Sequence, residues 1–513
     1  MEEMKGKNVW IKIAYLAAIA FLLVTFASRS SFLYPCNDWD DANSYFSVGK
    51  ALFNGKVPYR DVFDQKGMYL YFLYGLAYLV SHTTFRGVFL LEGLLALADL
   101  AAIHRILKLY TKDSTALALT PLPLAFVFSS RSFYWGGSAE EICLPFLLWG
   151  LYLFLRYFKD YPHSEMNRTT LLVAGVLAGM VANIKFTSLG LFFAWMMWVA
   201  FGLLVEKGVV KALKACGVFL GGMALPFLPW LIYFTMQGAL YYWYWGYVYI
   251  NVFAYSNLNG EGPGIWERVY ILSKLLYWVI LTNWNYFIFV IPGVLFTFLG
   301  KGKKLLQRFS VPVLCYFLFL GIYVGGSELP YYALPLGVFT VLGFALAGRG
   351  IDKVIAGKSG RQEIAGRDKA IGITVKQAAG CVLSVLAGII FILATSMNTE
   401  FMKVKKEDHF LYQFQPIVNQ EENPTLLNIG CLDAGLYTVC DIVPTCQWFQ
   451  TQTVIMDIVL SEQERYIREG LIDFVIARDS YPEVIWEKYE LVAQAPWFLG
   501  EQEFTYYLFR RKA

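Results

Sequence analysis

Charged side chains are scarce in this sequence. Lys, Arg, Asp and Glu make up 16% of its 513 residues, whereas hydrophobic residues make up 57%. The mean hydropathy of +0.48 is well above that of a soluble domain with one core. The shortage of charge therefore excludes an ordinary soluble protein and indicates an integral membrane protein.

Cofactor motifs are also missing. The chain has no Gly-rich phosphate-binding loop, and no set of His and Cys residues has the spacing of metal ligands. We therefore predict neither a nucleotide site nor a required cofactor. A divalent cation held between acidic side chains stays open, because oxygen ligands alone can bind such an ion.

Long apolar runs separated by short polar breaks recur along the chain. A helix crosses a bilayer with about 20 apolar residues, so the pattern predicts an all-α polytopic membrane protein with about eleven transmembrane helices. The first run lacks a clear cleavage site and is interpreted as a retained anchor. The predicted spans are 9–28, 87–107, 114–130, 142–158, 169–184, 187–206, 211–235, 270–298, 309–326, 330–347 and 378–396.

The basic residues predict the orientation, because Lys and Arg accumulate in cytoplasmic loops. They cluster within 105–112, 156–168, 207–214, 301–308 and 349–376. All five clusters are cytoplasmic if the N-terminus is cytoplasmic and the short apolar segment 67–82 lies in the interface instead of crossing. We therefore expect a multi-pass cell-membrane protein in which the first loop, residues 30–85, faces outward.

That first loop begins with "CNDWDDANSYF", which places Asp38, Asp40 and Asp41 among aromatic residues. Apolar residues at helical spacing between Asp41 and Phe53 predict a short surface helix. One interpretation is structural: Asp40 or Asp41 caps this helix and Asp38 is solvated. The other is that these carboxylates take part in chemistry at the outer membrane face.

The next stretch, residues 54–68, adds Arg60, Asp61, Asp64 and Lys66. Arg60 and Lys66 are suited to hold a lipid phosphate while a nearby carboxylate takes a proton from an incoming hydroxyl. Alternatively, Arg60 pairs with Asp61 or Asp64, and Lys66 extends to the lipid headgroups.

Three stretches carry a family resemblance. "DDANSYFSVGKALFNGKVPYRDVFDQKGMYLYFLYG" (40–75) resembles the first external loop of GT-C fold glycosyltransferases that use polyprenyl-phosphate sugars; "GGSAEEICLPF" (136–146) and "ELPYYALPL" (328–336) resemble later external loops. The family includes the aminoarabinose transferases of lipid A and the protein O-mannosyltransferases. The resemblance covers about residues 9–396, and it departs at Met68, where the bacterial branch usually has proline.

The resemblance implies an inverting transfer of a hexosyl or pentosyl group from a polyprenyl-phosphate donor to a cell-envelope glycan or polymer. Asp41 matches the catalytic acid of the first loop and would be the general base. No nucleic-acid partner is expected. The donor-phosphate candidates are Arg60, Lys66, Arg131 and Lys185, and the acceptor and sugar candidates are Asp40, Asp64, Glu140, Glu141, Tyr244, Tyr247, Glu328 and Tyr331.

Several of these candidates have a structural alternative. Glu140 and Glu141 can simply favour a helix N-terminus through its dipole. The aromatic run 241–249 is either a membrane-interface belt or a surface that stacks on sugar rings. After it, Asn251, Tyr255, Glu261 and the Gly-rich stretch 259–264 suit a movable lid. Glu92 and Asp99 share one helical face and favour a structural role.

The composition changes after the last span, and residues 397–513 predict a small extracytoplasmic α/β domain beside the transmembrane domain 1–396. Strands are predicted at 425–430, 473–479, 489–496 and 505–512, with a helix at 461–470. Cys431, Cys440 and Cys446 are close enough in sequence for one disulfide.

Two other functions also fit a polytopic chain with acidic residues. A lipid or solute transporter, or flippase, would show internal repeats and broken helices in matching halves, and no such repeat is found. A polymerase or ligase that uses polyprenyl-diphosphate glycans needs the same outward base and phosphate clamp, so the sequence separates it poorly from single-sugar transfer.

Overall fold

The computed structural model describes residues 2–254, 264–300, 304–325, 327–359, 375–452, 454–500 and 502–512. The chain divides into two compact units, each built from three segments. The first unit comprises Met1–Ala27, Glu92–Phe227 and Ile265–Thr399, and the second comprises Ser28–Leu91, Leu228–Gly264 and Glu400–Ala513. The predicted boundary after residue 396 falls near the start of the last segment of the second unit.

Membrane-length helices account for most of the predicted spans. Within the described residues, eight helices are long and apolar enough to cross a bilayer. They are Trp10–Ala27, Arg86–Lys108, Ala139–Lys159, Phe186–Lys207, Val209–Met236, Leu305–Tyr323, Pro330–Ala356 and Gln377–Thr395. The polytopic helical class is therefore confirmed.

One predicted span differs in shape. Instead of one continuous helix over 270–298, the chain forms Ile265–Thr282 and Trp284–Phe298, bent by 113°. At the break, the Asn283 side chain donates to the Val279 carbonyl at 3.1 Å and accepts from the Ser132 amide at 3.0 Å. Such side-chain bonds compete with the helical backbone, and an apolar average over the window does not detect them.

Two more predicted spans are shorter than a membrane crossing requires. Asp113–Phe128 and Arg168–Ala182 are apolar helices of fewer than 18 residues. The predicted total of about eleven is reached only when these two helices and the bent pair are included. By length and apolarity alone, the described residues contain eight spans, or up to nine with the bent pair.

Close helix packing in the first unit relies on small residues. Helix Arg168–Ala182 packs against helix Val209–Ala224, and a Cβ atom added at Gly175 would lie 2.1 Å from the Phe219 carbonyl oxygen. Only glycine permits this approach, as is common where helices associate in membranes. Several of the spans and short helices given above consist of more than one element or have slightly different helix bounds. Their α-helical parts are Asp113–Leu119, Pro121–Phe128, Gly190–Lys207, Thr340–Ser359 and Val375–Thr395, with a 3₁₀ segment at Pro330–Phe339.

The second unit starts with two short helices that the sequence predicts correctly. The loop helix, Asp40–Phe53, packs against the interfacial helix, Met68–Val80. At the contact, a Cβ atom on Gly49 would meet the Gly75 amide nitrogen at 2.6 Å. The interfacial helix, so called after its predicted position, has only 13 residues, which is too short for a crossing; its place at the interface stays a prediction.

The C-terminal segment forms a four-stranded sheet with strands β1 (Leu426–Ile429), β2 (Phe474–Arg478), β3 (Tyr489–Leu499) and β4 (Gln502–Arg511). The strand order is β1-β2-β4-β3; β1 is parallel to β2, and the other pairs are antiparallel. The predicted α/β pattern is confirmed. The helices of this segment are Phe410–Val418, Leu436–Val439, Met456–Glu469 and Ile485–Lys488.

One hydrophobic core joins the three segments of the second unit. Phe63 from the first loop and Ile250, which directly follows the aromatic run, are buried in the same cluster as Val475 of β2 and Phe509 of β4. The C-terminal sheet therefore shares its core with the loop that carries the aspartates.

Candidate functional site

The loop helix brings two of the three aspartates into its first turn. It begins at Asp40, its N-cap position is occupied by Trp39, and no side chain makes a cap bond. Asp40 and Asp41 are favoured there by the positive end of the helix dipole. Neither aspartate caps the helix, so the capping interpretation is wrong.

Asp38 is buried, with 1% of its surface exposed, so the expectation of a solvated side chain is wrong. Its Oδ1 accepts from Arg29 Nη1 at 2.7 Å, and its Oδ2 accepts from Trp497 Nε1 at 3.1 Å and lies 3.5 Å from His409 Nε2. Burial alone would raise the pKa of Asp38, but Arg29 together with His409 and Trp497 lowers that pKa well below its usual range. Asp38 is therefore a buried anion held by its partners.

Asp40 is tied to the C-terminal sheet. Its Oδ2 accepts from Nη1 of Arg478, the last residue of β2, at 2.7 Å. Burial raises the pKa of Asp40 to about 6, with Arg478 opposing the rise and Asp41 and Asp433 adding to it. This carboxyl group therefore changes charge close to neutral pH.

The ion pair of Asp41 is longer than that of Asp40. Its Oδ1 accepts from the Tyr45 hydroxyl at 3.1 Å and lies 3.8 Å from Lys66 Nζ. The Asp41 and Lys66 side chains keep 13% and 16% of their surface exposed. The separation of 3.8 Å is longer than a hydrogen bond, so the two charges attract each other without closing a direct bond.

The backbone around Lys66 is fixed by two tyrosines. Tyr59 donates its hydroxyl to the Lys66 carbonyl at 2.6 Å, and the Lys66 amide donates to the Tyr71 oxygen at 2.7 Å. Tyr71 in turn donates to Asp64 at 2.9 Å. Burial raises the pKa of Asp64, Lys66 opposes the rise and Asp41 adds to it. Asp41, Asp64 and Lys66 thus form one electrostatic group.

Arg60 follows the pairing alternative. Its Nε and Nη2 atoms contact the two carboxylate oxygens of Asp61 at 2.7 and 3.0 Å, and its Nη1 donates to the Gln237 carbonyl at 3.0 Å. This bidentate pair is the strongest geometry for an arginine and a carboxylate. The predicted role of Arg60 as a phosphate ligand stays a prediction.

Side chains of the C-terminal segment also form hydrogen bonds with the loop helix beyond Asp40. These contacts were not predicted from the sequence. No sequence signal links these partners, because they lie almost 400 residues apart. Ser47 donates to Asp433 at 2.5 Å, Ser44 donates to Gln450 at 2.6 Å, and Thr438 donates to Asn43 at 3.0 Å.

The aromatic run adopts an uncommon helix type. Tyr244–Ala254 is a π-helix, a rare conformation that is frequent at functional sites. Tyr244 is exposed, whereas Tyr247 is buried. Asn251 donates to the Gln65 carbonyl at 2.7 Å, which places the run beside the Asp64 segment. Most of the predicted lid, including Tyr255 and Glu261, lies outside the described residues.

In the first unit, Glu140 and Lys185 form an ion pair with side chains that are 2% and 11% exposed. Lys185 Nζ also lies over the rings of Tyr332 and Tyr331, at 4.2 and 5.2 Å from their centroids. Three predicted site residues, Glu140, Lys185 and Tyr331, are therefore brought together. This pair is a closed one, because the cation is already held by an anion and two aromatic faces.

The other candidates of the first unit are engaged locally. Arg131 Nη1 contacts Glu328 Oε1 at 3.0 Å. Glu141 accepts the Gly137 amide at 2.8 Å, and its own amide donates to the N-cap residue Ser138 at 2.9 Å. Glu141 therefore fits the helix-terminus alternative. The prediction that first-unit and second-unit residues form one site stays a prediction.

The described residues contain neither a metal-binding cluster nor a disulfide. No group of three or more His, Cys, Asp or Glu side chains within the described parts of the chain could hold a metal ion. All eight cysteines lie in these parts and are free, so the disulfide that the sequence spacing permits is not formed.

The class of fold follows from these helices and the small C-terminal sheet: the chain has the GT-C fold of polytopic membrane glycosyltransferases. The crystal structures of ArnT, an aminoarabinose transferase from Cupriavidus metallidurans, bound to undecaprenyl phosphate and in the apo state, are similar to this chain. Each has a TM-score of 0.61 and 10% identity and covers 98% of both chains.

A second solved structure agrees with this fold. The apo oligosaccharyltransferase from Archaeoglobus fulgidus has a TM-score of 0.50 at 10% identity and covers 91% of this chain and 69% of its own. No family model matches the sequence, and no curated protein matches it. The predicted GT-C resemblance is thus confirmed as a shared fold.

Proposed function

We propose that this protein is a membrane glycosyltransferase that moves a sugar from a polyprenyl-phosphate donor to a hydroxyl group of a cell-envelope glycan or polymer. The GT-C fold supports the proposal that the protein is a membrane glycosyltransferase. The observation that carries the reaction is the open pair of Asp41 and Lys66, a carboxylate and an ammonium group separated by 3.8 Å and both partly exposed.

Asp41 is the general base of this reaction. As the acceptor oxygen bonds to the anomeric carbon, the bond from that carbon to the donor phosphate oxygen breaks, and its electron pair leaves with the polyprenyl phosphate. The acceptor proton passes to Asp41. Attack opposite the leaving group inverts the anomeric centre, and a positioned base contributes roughly 10²- to 10⁴-fold to such a step.

Lys66 stabilises the charge that develops on the leaving phosphate. An ammonium group fixed before the reaction is more effective than a solvated one, because no reorganisation is needed at the transition state. Tyr59 and Tyr71 fix the Lys66 backbone from which this side chain extends. Arg60, Arg131 and Lys185 are further phosphate candidates, but each must first loosen a carboxylate partner.

The acceptor and sugar contacts come from the polar and aromatic candidates. In the second unit these are Asp40, Asp64, Tyr244 and Tyr247, and exposed Tyr244 has a face available for stacking on a sugar ring. Glu140, Glu141, Glu328 and Tyr331 belong to the first unit. No step is assigned to a cation or cofactor.

A donor panel tests the class of reaction. Purified protein in detergent would be incubated with polyprenyl-phosphate hexoses and pentoses, and in parallel with polyprenyl-diphosphate glycans. We expect release or transfer of the sugar from at least one monophosphate donor, and NMR of the product should show the inverted anomer.

Two results would replace the proposal. Turnover of diphosphate-linked glycans alone would assign the protein to the polymerases or ligases. If no donor binds or reacts, and reconstituted vesicles show movement of a labelled lipid or solute, the protein is a transporter. In that case the open pair has a structural role.

A further inference from the structure

The second unit contains a cavity that the proposed reaction does not use. Its volume is about 220 Å³, and it is lined by both ends of the first loop and by the C-terminal segment. Three of its lining residues are basic, Arg29, Arg86 and Lys406, and several others carry hydroxyl groups, among them Ser30 and Thr84.

The charge of this cavity is positive. Arg29 is bonded to Asp38 and lies 4.0 Å from the centre of the Phe401 ring, so it is fixed and largely neutralised. Arg86 and Lys406 are exposed, and in the described part of the chain neither has a carboxylate within 4.0 Å. No Asp or Glu side chain is among the lining residues. Two cationic groups therefore face a polar space, and Nζ of one of them, Lys406, lies 4.3 Å from the centre of the Tyr412 ring.

The cavity lies where the chain leaves and enters its membrane helices. Ser28 and Arg29 directly follow the span Trp10–Ala27, and Arg86 is the first residue of the span Arg86–Lys108. Phe32, another lining residue, is 67% exposed. Cationic groups beside an exposed apolar side chain, next to the ends of two membrane helices, match the two parts of a phospholipid: its phosphate and its acyl chains.

The cavity is separate from the open pair. Asn43 lines it, whereas Asp41 and Lys66 do not. Asn43 follows Asp41 by two positions on the loop helix. The helix turns by about 200° over two residues, so the two side chains lie on nearly opposite faces. The loop helix therefore presents one face to the open pair and another to this cavity.

We propose that this cavity binds the phosphate of an anionic phospholipid headgroup, with Arg86 and Lys406 as its cationic ligands and the Ser30 and Thr84 hydroxyl groups as donors. A lipid held there would anchor the first loop at the membrane surface. The site is not part of the transfer reaction and does not depend on it.

Native mass spectrometry of the full-length protein in neutral detergent tests this assignment. The wild type would be titrated with phosphatidylglycerol, phosphatidylcholine and inorganic phosphate in separate arms. The variant is R86Q/K406Q, and the matched control is R105Q/K405Q, which removes the same charges from exposed residues that do not line the cavity.

We expect wild type to prefer phosphatidylglycerol, and R86Q/K406Q to bind it about 30-fold more weakly, since each basic residue near an anionic lipid contributes roughly a factor of five. The control variant should stay within about threefold of wild type. Equal binding of both lipids by wild type would overturn the proposal, and so would unchanged binding by the variant. Inorganic phosphate that binds as tightly as phosphatidylglycerol would assign the site to a free anion.

Discussion

The two units each contain a buried or half-buried acid beside a lysine, and the two pairs differ in kind. Glu140 and Lys185 are in direct contact, are nearly buried and have tyrosine rings against the cation. Asp41 and Lys66 are 3.8 Å apart and partly exposed. A closed pair satisfies its own charges, whereas the charges of a longer, partly exposed pair are held less tightly to each other.

The same contrast separates the aspartates of the first loop. Asp38 is buried against an arginine, a histidine and a tryptophan, and Asp40 is bonded to Arg478. Asp41 accepts a tyrosine hydroxyl and keeps a loose contact with Lys66. Residue type alone does not distinguish these three aspartates, because they differ in the side chains that hold them.

The largest expected effect comes from removing the base. Asp41→Asn should lower kcat for sugar transfer by roughly 10²- to 10⁴-fold, because the amide cannot take the acceptor proton. Asp61→Asn, which changes an acid paired with Arg60 in the same loop, serves as the control in steady-state assays. An equal loss of kcat in both variants would contradict the prediction that Asp41 and the paired acid Asp61 differ in function.

The closed pair should be sensitive in stability. Glu140→Gln leaves Lys185 without its anion, and we expect a loss of roughly 3–5 kcal/mol in the free energy of unfolding. Thermal unfolding in detergent measures the change. Glu400→Gln removes a surface partner of Lys403 and should cost at most about 1 kcal/mol. Similar costs for both would show that burial does not distinguish the pairs.

The cation of the open pair should affect the rate more than the stability. Lys66→Gln is expected to lower kcat by roughly 10²- to 10³-fold, as does the loss of one fixed donor to a developing anion. Lys56→Gln, in the same loop, should have little effect. If Lys66→Gln instead lowers the melting temperature and leaves kcat unchanged, the pair is structural.

The smallest expected effect is on the pH dependence of stability, and it comes from Asp433, a buried acid that accepts hydrogen bonds from neutral donors. Burial raises the pKa of Asp433 to about 6, and Ser47 and the Gly435 amide only partly offset this. The folded state therefore binds more protons than the unfolded state between about pH 4 and 6, so stability falls as pH rises through this window.

Asp433→Asn should remove the Asp433 contribution to that pH dependence, worth at most about 3 kcal/mol at neutral pH, whereas the contribution of Asp40, whose pKa is also raised to about 6, remains. Melting temperatures of both proteins between pH 4 and 8 give the comparison. Asp38 provides the opposite sign: its pKa is lowered in the fold, so its contribution is present at neutral pH and lost in acid. Parallel curves for wild type and Asp433→Asn would contradict the assignment.

Local patterns in the sequence predict the elements of this protein well. The loop helix, the interfacial helix and the four strands follow from hydrophobic spacing over neighbouring residues. The bend at Asn283 does not, because it depends on side-chain bonds to residues of another helix. Hydropathy averaged over a window finds the hydrophobic segments, but it does not detect where a helix bends within a segment.

The contacts of the candidate site could be predicted only in part for the same reason. The first-loop residues Asp41, Asp64 and Lys66 are neighbours in sequence, and their grouping is visible there. The arginine that neutralises Asp40 lies 438 residues away and the tryptophan bonded to Asp38 lies 459 residues away. Such partners decide which aspartate stays open, and one sequence contains no signal for them.

The most direct test of the open-pair account is the donor dissociation constant of Asp41→Asn, measured beside its kcat with the same polyprenyl-phosphate sugar. A general base acts on the acceptor proton, so the account predicts a dissociation constant within about threefold of wild type while kcat falls by at least about 100-fold. A donor affinity that weakens as much as kcat falls would contradict it and would make Asp41 a binding or structural residue.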